Sequence, residues 1–216
     1  MERAPSAGAV GVLLGGGAVR DAHDFRLLGE FPSYGRAPHD CMLVDGGATL
    51  LVSNGGGAHG QADPPCVAWV DVATQQLRER CVLADEVVNA GHLAATADGD
   101  VAVVSAPRDG LAPTIGETLS VAIHEPTGIV GATTPLGNLV TFWRLDDGSL
   151  VHKLRVPMPR GIALSLSGEE FVINFGTPPR AARVDARTLQ PSLAAANRRG
   201  YLSRATGSHV SLLPSR

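Results

Sequence analysis

Seven histidines are the side chains of this 216-residue chain best suited to proton or metal chemistry near neutral pH. Two of them stand in matching contexts. His39 lies six residues before Asp45 and His92 six residues before Asp98, and each Asp opens an Asp-Gly pair. If these contexts are copies of one structural unit, the two imidazoles recur at equal positions and can converge on a divalent metal. His59 closes the run Asn54-Gly55-Gly56-Gly57-Ala58-His59. A Gly-rich loop after a strand lets backbone N–H groups approach an anion, with Asn54 and His59 at hand. His39, Asn54, His59 and His92 are therefore the candidate ligand-binding residues, and His39 with His92 the candidate metal pair. His124 falls on a strand pattern, whereas His23 and His152 fall in loops or at strand ends.

Other chemistry lacks its signature. A phosphate-binding P-loop needs Gly-Lys, and Lys153 follows His152. Gly15-Gly16-Gly17-Ala18 imitates a dinucleotide fingerprint, but no helical pattern follows it. No Gly-x-Ser-x-Gly elbow occurs. Asp146-Asp147 and Glu169-Glu170 fall at turns, where carboxylates are solvated. Cys41, Cys66 and Cys81 form no C-x-x-C pair, and an odd number leaves at least one thiol unpaired within the chain. Cys41, inside Cys41-Met42-Leu43-Val44, reads as a small buried hydrophobe. No catalytic set emerges, and a metal is the one cofactor with candidate ligands.

The elements that must position these residues read as β-hairpins. Apolar or alternating runs flank Gly-containing turns at His39–Gly46 with Ala48–Asn54, His92–Gly99 with Val101–Ser105, Val121–Gly128 with Ile129–Thr134, and Ile162–Gly168 with Phe171–Asn174. Further strand-turn-strand patterns lie at Val67–Leu77, Leu139–Val151 and Ala182–Leu189. Two hairpins in succession make a four-stranded antiparallel unit, and repeats of such units are the signature of a β-propeller. The turn glycines Gly46, Gly99, Gly128 and Gly168 are 53, 29 and 40 residues apart, against roughly 40–45 for a blade. The short interval places missing strands at Pro107–Pro113. The expectation is an all-β, propeller-like single domain over residues 1–216, with four recognisable blade repeats and fewer blades than a full ring. Its units are 10–60, 61–106, 107–135 and 136–176, with a partial unit at 177–216. A Gly-His pair ahead of a strand also occurs in WD40-type repeats, which gives His39 and His92 a structural reading inside their own blades. Val121 and Gly161 stand at that position in the third and fourth copies.

Composition agrees. With 44% hydrophobic residues and a net charge of -3, the chain is too apolar and too weakly charged for disorder. Its 26 Gly and 15 Pro argue against a helical bundle. The slightly acidic balance argues against a nucleic-acid surface, and no apolar run approaches the ~18 residues of a membrane span. Residues Ala7–Val19 make a poor export signal, since five of the thirteen are Gly and Glu2 cancels Arg3. Val10–Leu14 reads instead as a Gly-flanked strand. As encoded, the expectation is a cytoplasmic protein.

Gly29-Glu30-Phe31-Pro32-Ser33-Tyr34-Gly35-Arg36-Ala37-Pro38-His39-Asp40, followed by Val52-Ser53-Asn54-Gly55-Gly56-Gly57, resembles the bacterial family grouped as "domain of unknown function 1513". Gly91-His92-Leu93-Ala94 and Thr133-Thr134-Pro135-Leu136-Gly137-Asn138 are similar to further segments of that family, so the resemblance covers roughly residues 10–175. It implies a propeller-like fold, usually in a longer chain often led by an export signal, and it implies no reaction. Against that pattern the N-terminal blades are absent, the third blade is short, and Gly91 replaces an expected Arg. The resemblance thus points to a periplasmic relative if the N-terminus is shortened. The function read from the sequence is a binding scaffold for a protein or small ligand, with Tyr34, Arg36 and Arg108 as candidate exposed contacts. The alternatives are a metal-binding or redox-accessory protein using His39 and His92, and a truncated, non-functional copy of a longer propeller.

Overall fold

Alternating and continuous apolar runs, punctuated by glycine, become strands throughout. The computed structural model describes residues 9–13, 16–56, 63–84, 89–104 and 118–192. Among them there are five antiparallel sheets and no α-helix. The first sheet holds β1 (Ala9–Leu13), β2 (Gly16–Arg20) and β3 (Leu27–Pro32). The second holds β4 (Pro38–Val44), β5 (Thr49–Asn54), β6 (Cys66–Asp71) and β7 (Leu77–Val82). A two-stranded sheet follows, β8 (Leu93–Ala95) with β9 (Val101–Val103). The fourth holds β10 (Ser120–His124), β11 (Ile129–Thr134), β12 (Leu139–Arg144) and β13 (Leu150–Arg155). The fifth holds β14 (Pro159–Leu164), β15 (Glu170–Phe175) and β16 (Arg180–Asp185). In every sheet the strands lie in sequence order, each paired with the next.

The four hairpins read from the sequence are all present, as is the strand near Val10. Gly46 and Gly128 adopt left-handed φ of 63° and 60°, and open space surrounds the point where a Cβ would sit. Backbone conformation, not crowding, therefore selects glycine at these turns. The sheets do not follow the expected units. β5 pairs with β6 across the 60/61 division, and β11 pairs with β12 across 135/136, because a hairpin and the run after it close one sheet. After β16 the described residues hold an isolated bridge between Val184 and Pro191. The segment Pro107–Pro113 lies outside the described residues.

Burial falls along each four-stranded sheet as its composition dictates. Every residue of β5 and of β11 is buried, and both are continuous apolar or small-residue runs. Every residue of β7, Leu-Arg-Glu-Arg-Cys-Val, is exposed. The chain forms two compact units, dividing between Gly91 and His92. In the first, Phe31, Leu50, Val52, Ala68 and Val70 make the core, with Val19, Tyr34 and Cys41 packed against it. Cys41 thus sits as a small hydrophobe, and burial pushes its thiol pKa up. The Phe31 ring lies where Gly17 would otherwise carry a side chain. In the second unit Phe142, Phe171, Ile173, Val140 and Val184 are fully buried.

Strand ends are fixed by aspartates. Asp71 and Asp185 each close a strand and accept backbone N–H bonds from Thr74 and Thr188, at 2.8 and 2.7 Å. This is the Asx-turn chemistry that ends a strand and starts its return. The Thr74 N–H, then the Arg78 guanidinium, then the Thr74 hydroxyl hold the Asp71 carboxyl at about 2, below its ordinary 3.8. A carboxylate depressed on folding adds stability that is complete above 3.8 and lost as the pH falls towards 2. Asp71→Asn removes that contribution. Its denaturation midpoint should fall less steeply than wild type between those two pH values, and an equal or steeper fall would contradict the assignment.

Candidate functional site

The first strand of the second sheet begins in a corner built by proline, glycine and a slip in register. Ala37, at φ 53°, turns the chain so that its carbonyl accepts the N–H of Gly55 at 2.8 Å. Pro38 then pairs with Asn54, but Asp40 pairs with Ser53, so His39 is the extra residue of a bulge. The Ser53 hydroxyl accepts the Asp40 N–H at 3.0 Å. The His39 side chain is exposed at the bulge.

Asn54 goes the other way. It is fully buried, and its amide Nδ2 donates to the carbonyls of Ser33 at 3.0 Å and Val52 at 3.3 Å. It thereby ties the end of β5 to the segment that leaves β3. Its Oδ1 has no hydrogen-bond partner among the described residues. Gly35 is pressed against it: a Cβ there would lie 2.5–2.8 Å from the Asn54 side chain. Tyr34 donates its hydroxyl to the Gln75 carbonyl at 2.8 Å and packs on the core, while Arg36 is exposed. His59 and Arg108 lie outside the described residues.

The same corner recurs in the second unit. Met158, at φ 45°, accepts the Gly176 N–H at 3.3 Å, Pro159 pairs with Phe175, and the register slips before Ile162. The Gly161 N–H donates to the buried Asn174 Oδ1. Met158-Pro159-Arg160-Gly161 thus repeats Ala37-Pro38-His39-Asp40, and Phe175-Gly176 repeats Asn54-Gly55. The counterpart of His39 is Arg160, not Gly161 as the spacing suggested.

The expected equivalence of His39 and His92 fails for the same reason. Counted from the hairpin turn, His92 stands fifth, opposite Val104, after a closing bond between Thr96 and Asp100. Asp40 stands fifth in its hairpin, Ser120 opposite Thr133 in another, and Gly161 opposite Asn174 in a third. Asp45 is the first residue of its turn, whereas Asp98 lies inside a turn begun by Thr96. Counting back six from each therefore lands one register position apart. A one-residue offset reverses the face of a strand, and His92 is indeed buried, at 9% exposure, where His39 is exposed. The two also belong to different compact units. Among the described residues no three His, Cys, Asp or Glu side chains gather as a metal-ligand set.

His124 and His152, the other described histidines of the second unit, are packing residues. His124, 3% exposed, lies edge-on to Phe171 with ring centroids 6.3 Å apart, and its Nδ1 is 2.6 Å from the Thr127 hydroxyl. Burial first, and Arg187 second, lower its pKa. His152 lies within β13, not in a loop, and stacks on Phe142. Sequence reasoning passed over Arg160 and Asn174. The signal that marks them is a Pro-basic pair ahead of one strand together with a Gly just past the next, as at Pro38-His39 and Gly55.

These features define an all-β protein of successive antiparallel sheets, in which polar, proline-led corners begin the first strands of two sheets. The chain belongs to the family described as "Protein of unknown function (DUF1513)", whose model matches residues 2–114, more than half of its length. The match includes the segments Gly29–Asp40, Val52–Gly57 and Gly91–Ala94. Among solved structures the chain is similar to Kuenenia stuttgartiensis hydrazine synthase, with 14% sequence identity over 83% of this chain and 67% of that one, and a TM-score of 0.67. At that identity the likeness concerns the fold. No curated protein matches the chain. Among the described residues no helix is long and apolar enough to cross a membrane.

Proposed function

We propose that this chain is a propeller-type binding scaffold, its sheets serving as blades, and that it acts by holding a protein or small ligand rather than by catalysis. The repeated corner carries this reading. Buried Ser53, Thr133 and Asn174 each spend their side chains on the backbone where a first strand begins. The bulge position of the corner carries the exposed His39 in the second sheet and Arg160 in the fifth. A backbone device repeated within the chain, with a different side chain at each bulge, suits recognition, because a rigid scaffold presents the contact residue.

Metal content of the purified chain separates this reading from a metal-centred one. The expected result is well below one transition-metal ion per chain, and a melting temperature unchanged by chelator. A stoichiometric metal that is lost in His39→Ala would overturn the proposal.

A further inference from the structure

We infer that Arg160 marks a binding site for a small organic carboxylate. A cavity of about 80 Å³ opens beside it, lined also by Met158, Asn174, Phe175, Gly176, Thr177 and Pro179. The backbone of Arg160 is anchored: its carbonyl accepts the Thr133 hydroxyl, and the next N–H is held by Asn174. Its side chain is half-buried, and the Nε is shielded from solvent with no hydrogen-bond acceptor. Among the described residues no carboxylate forms an ion pair with Arg160. A guanidinium drawn partly out of water without a counter-charge is costly, and an incoming anion relieves that cost.

The chemistry of the walls selects the anion. A guanidinium presents parallel N–H donors that fit a carboxylate or a phosphate. Among the described residues Arg160 is the only charged one lining this cavity, and Asn174 and Thr177 are the other lining residues with polar side chains. A single positive charge matches a monoanion better than a phosphate dianion. Met158, Phe175 and Pro179 offer apolar surface to a short hydrocarbon tail. Binding would place the carboxylate on Arg160 and the tail against these walls, with no bond made or broken. The inference deepens the binding-scaffold reading and rests on it.

The test is titration of the full chain with sodium butyrate, followed by amide chemical shifts and calorimetry. Sodium phosphate and sodium chloride at matched ionic strength serve as comparisons. Saturable shifts at Gly176 and Thr177, weakened about tenfold or more in Arg160→Gln, are expected. Should that variant fail to fold, Arg160→Lys, which keeps the charge but loses the planar fork, is read in its place and should weaken binding. No saturable shift, an unchanged affinity in the variants, or phosphate binding as tightly as butyrate would overturn the inference. A negative result leaves the metal-content experiment untouched, so the two readings fail separately.

Discussion

Phe171→Ala is expected to lower the unfolding free energy of the second unit by about 3–5 kcal/mol. Phe171 is fully buried, its ring centroid 5.3 Å from that of Phe142 and 6.3 Å from that of His124. Strand β11 makes room for this cluster by carrying Gly131, where a Cβ would lie 3.2 Å from the Phe171 ring and 2.8 Å from Ile162. The neighbours are strands of two sheets, which cannot collapse far into a void, so the cavity cost adds to the transfer cost. Phe171→Leu, which retains most of the volume, should lose appreciably less. Urea denaturation followed by circular dichroism reads both. A loss below about 1 kcal/mol for the alanine variant, within the range of surface substitutions and mild repacking, would contradict the placement of this ring.

The second large effect belongs to the corner of the first unit. Asn54→Ala is expected to cost about 2–4 kcal/mol, because it removes a fully buried side chain and leaves two carbonyls without their donor. Asn54→Asp should cost at least as much, despite nearly identical shape. It replaces the donating amide with a buried carboxylate facing the carbonyls of Ser33 and Val52. Gly35→Ala presses a methyl group into the same side chain and should cost about 1–3 kcal/mol. Since both changes act on one contact, the double variant Gly35→Ala with Asn54→Ala should fall short of the sum. Full additivity would show that the two residues do not meet.

What the sequence disclosed and what it concealed divide along physical lines. Hairpins were legible because alternation and turn glycines are local signals, and Gly46, Gly99, Gly128 and Gly168 mark real turns. β2 and β3 were not: Gly15-Gly16-Gly17-Ala18 imitates a dinucleotide fingerprint, and the Phe31 ring above Gly17 explains why a strand carries glycine there. Sheet boundaries were misplaced because nothing local says whether a strand pairs forwards or backwards. The His39–His92 pairing failed on a single register position, since turn length is invisible when positions are counted from an aspartate. Asn54, expected to serve a ligand, faces inward and donates to backbone carbonyls. Polarity alone does not reveal whether a side chain serves a ligand or its own backbone. Arg160 went unseen for the converse reason: its kinship with His39 runs through the register slip of each corner, which pairing alone exposes.

The central claim is that these sheets are the blades of a propeller-type scaffold. A crystal structure of the full chain tests it most directly. The expected result is that the first strands β8, β10 and β14 of the second unit lie side by side around an axis, and that β7 is the outer strand of its own sheet. Two layers of sheets stacked face to face as a sandwich would contradict it.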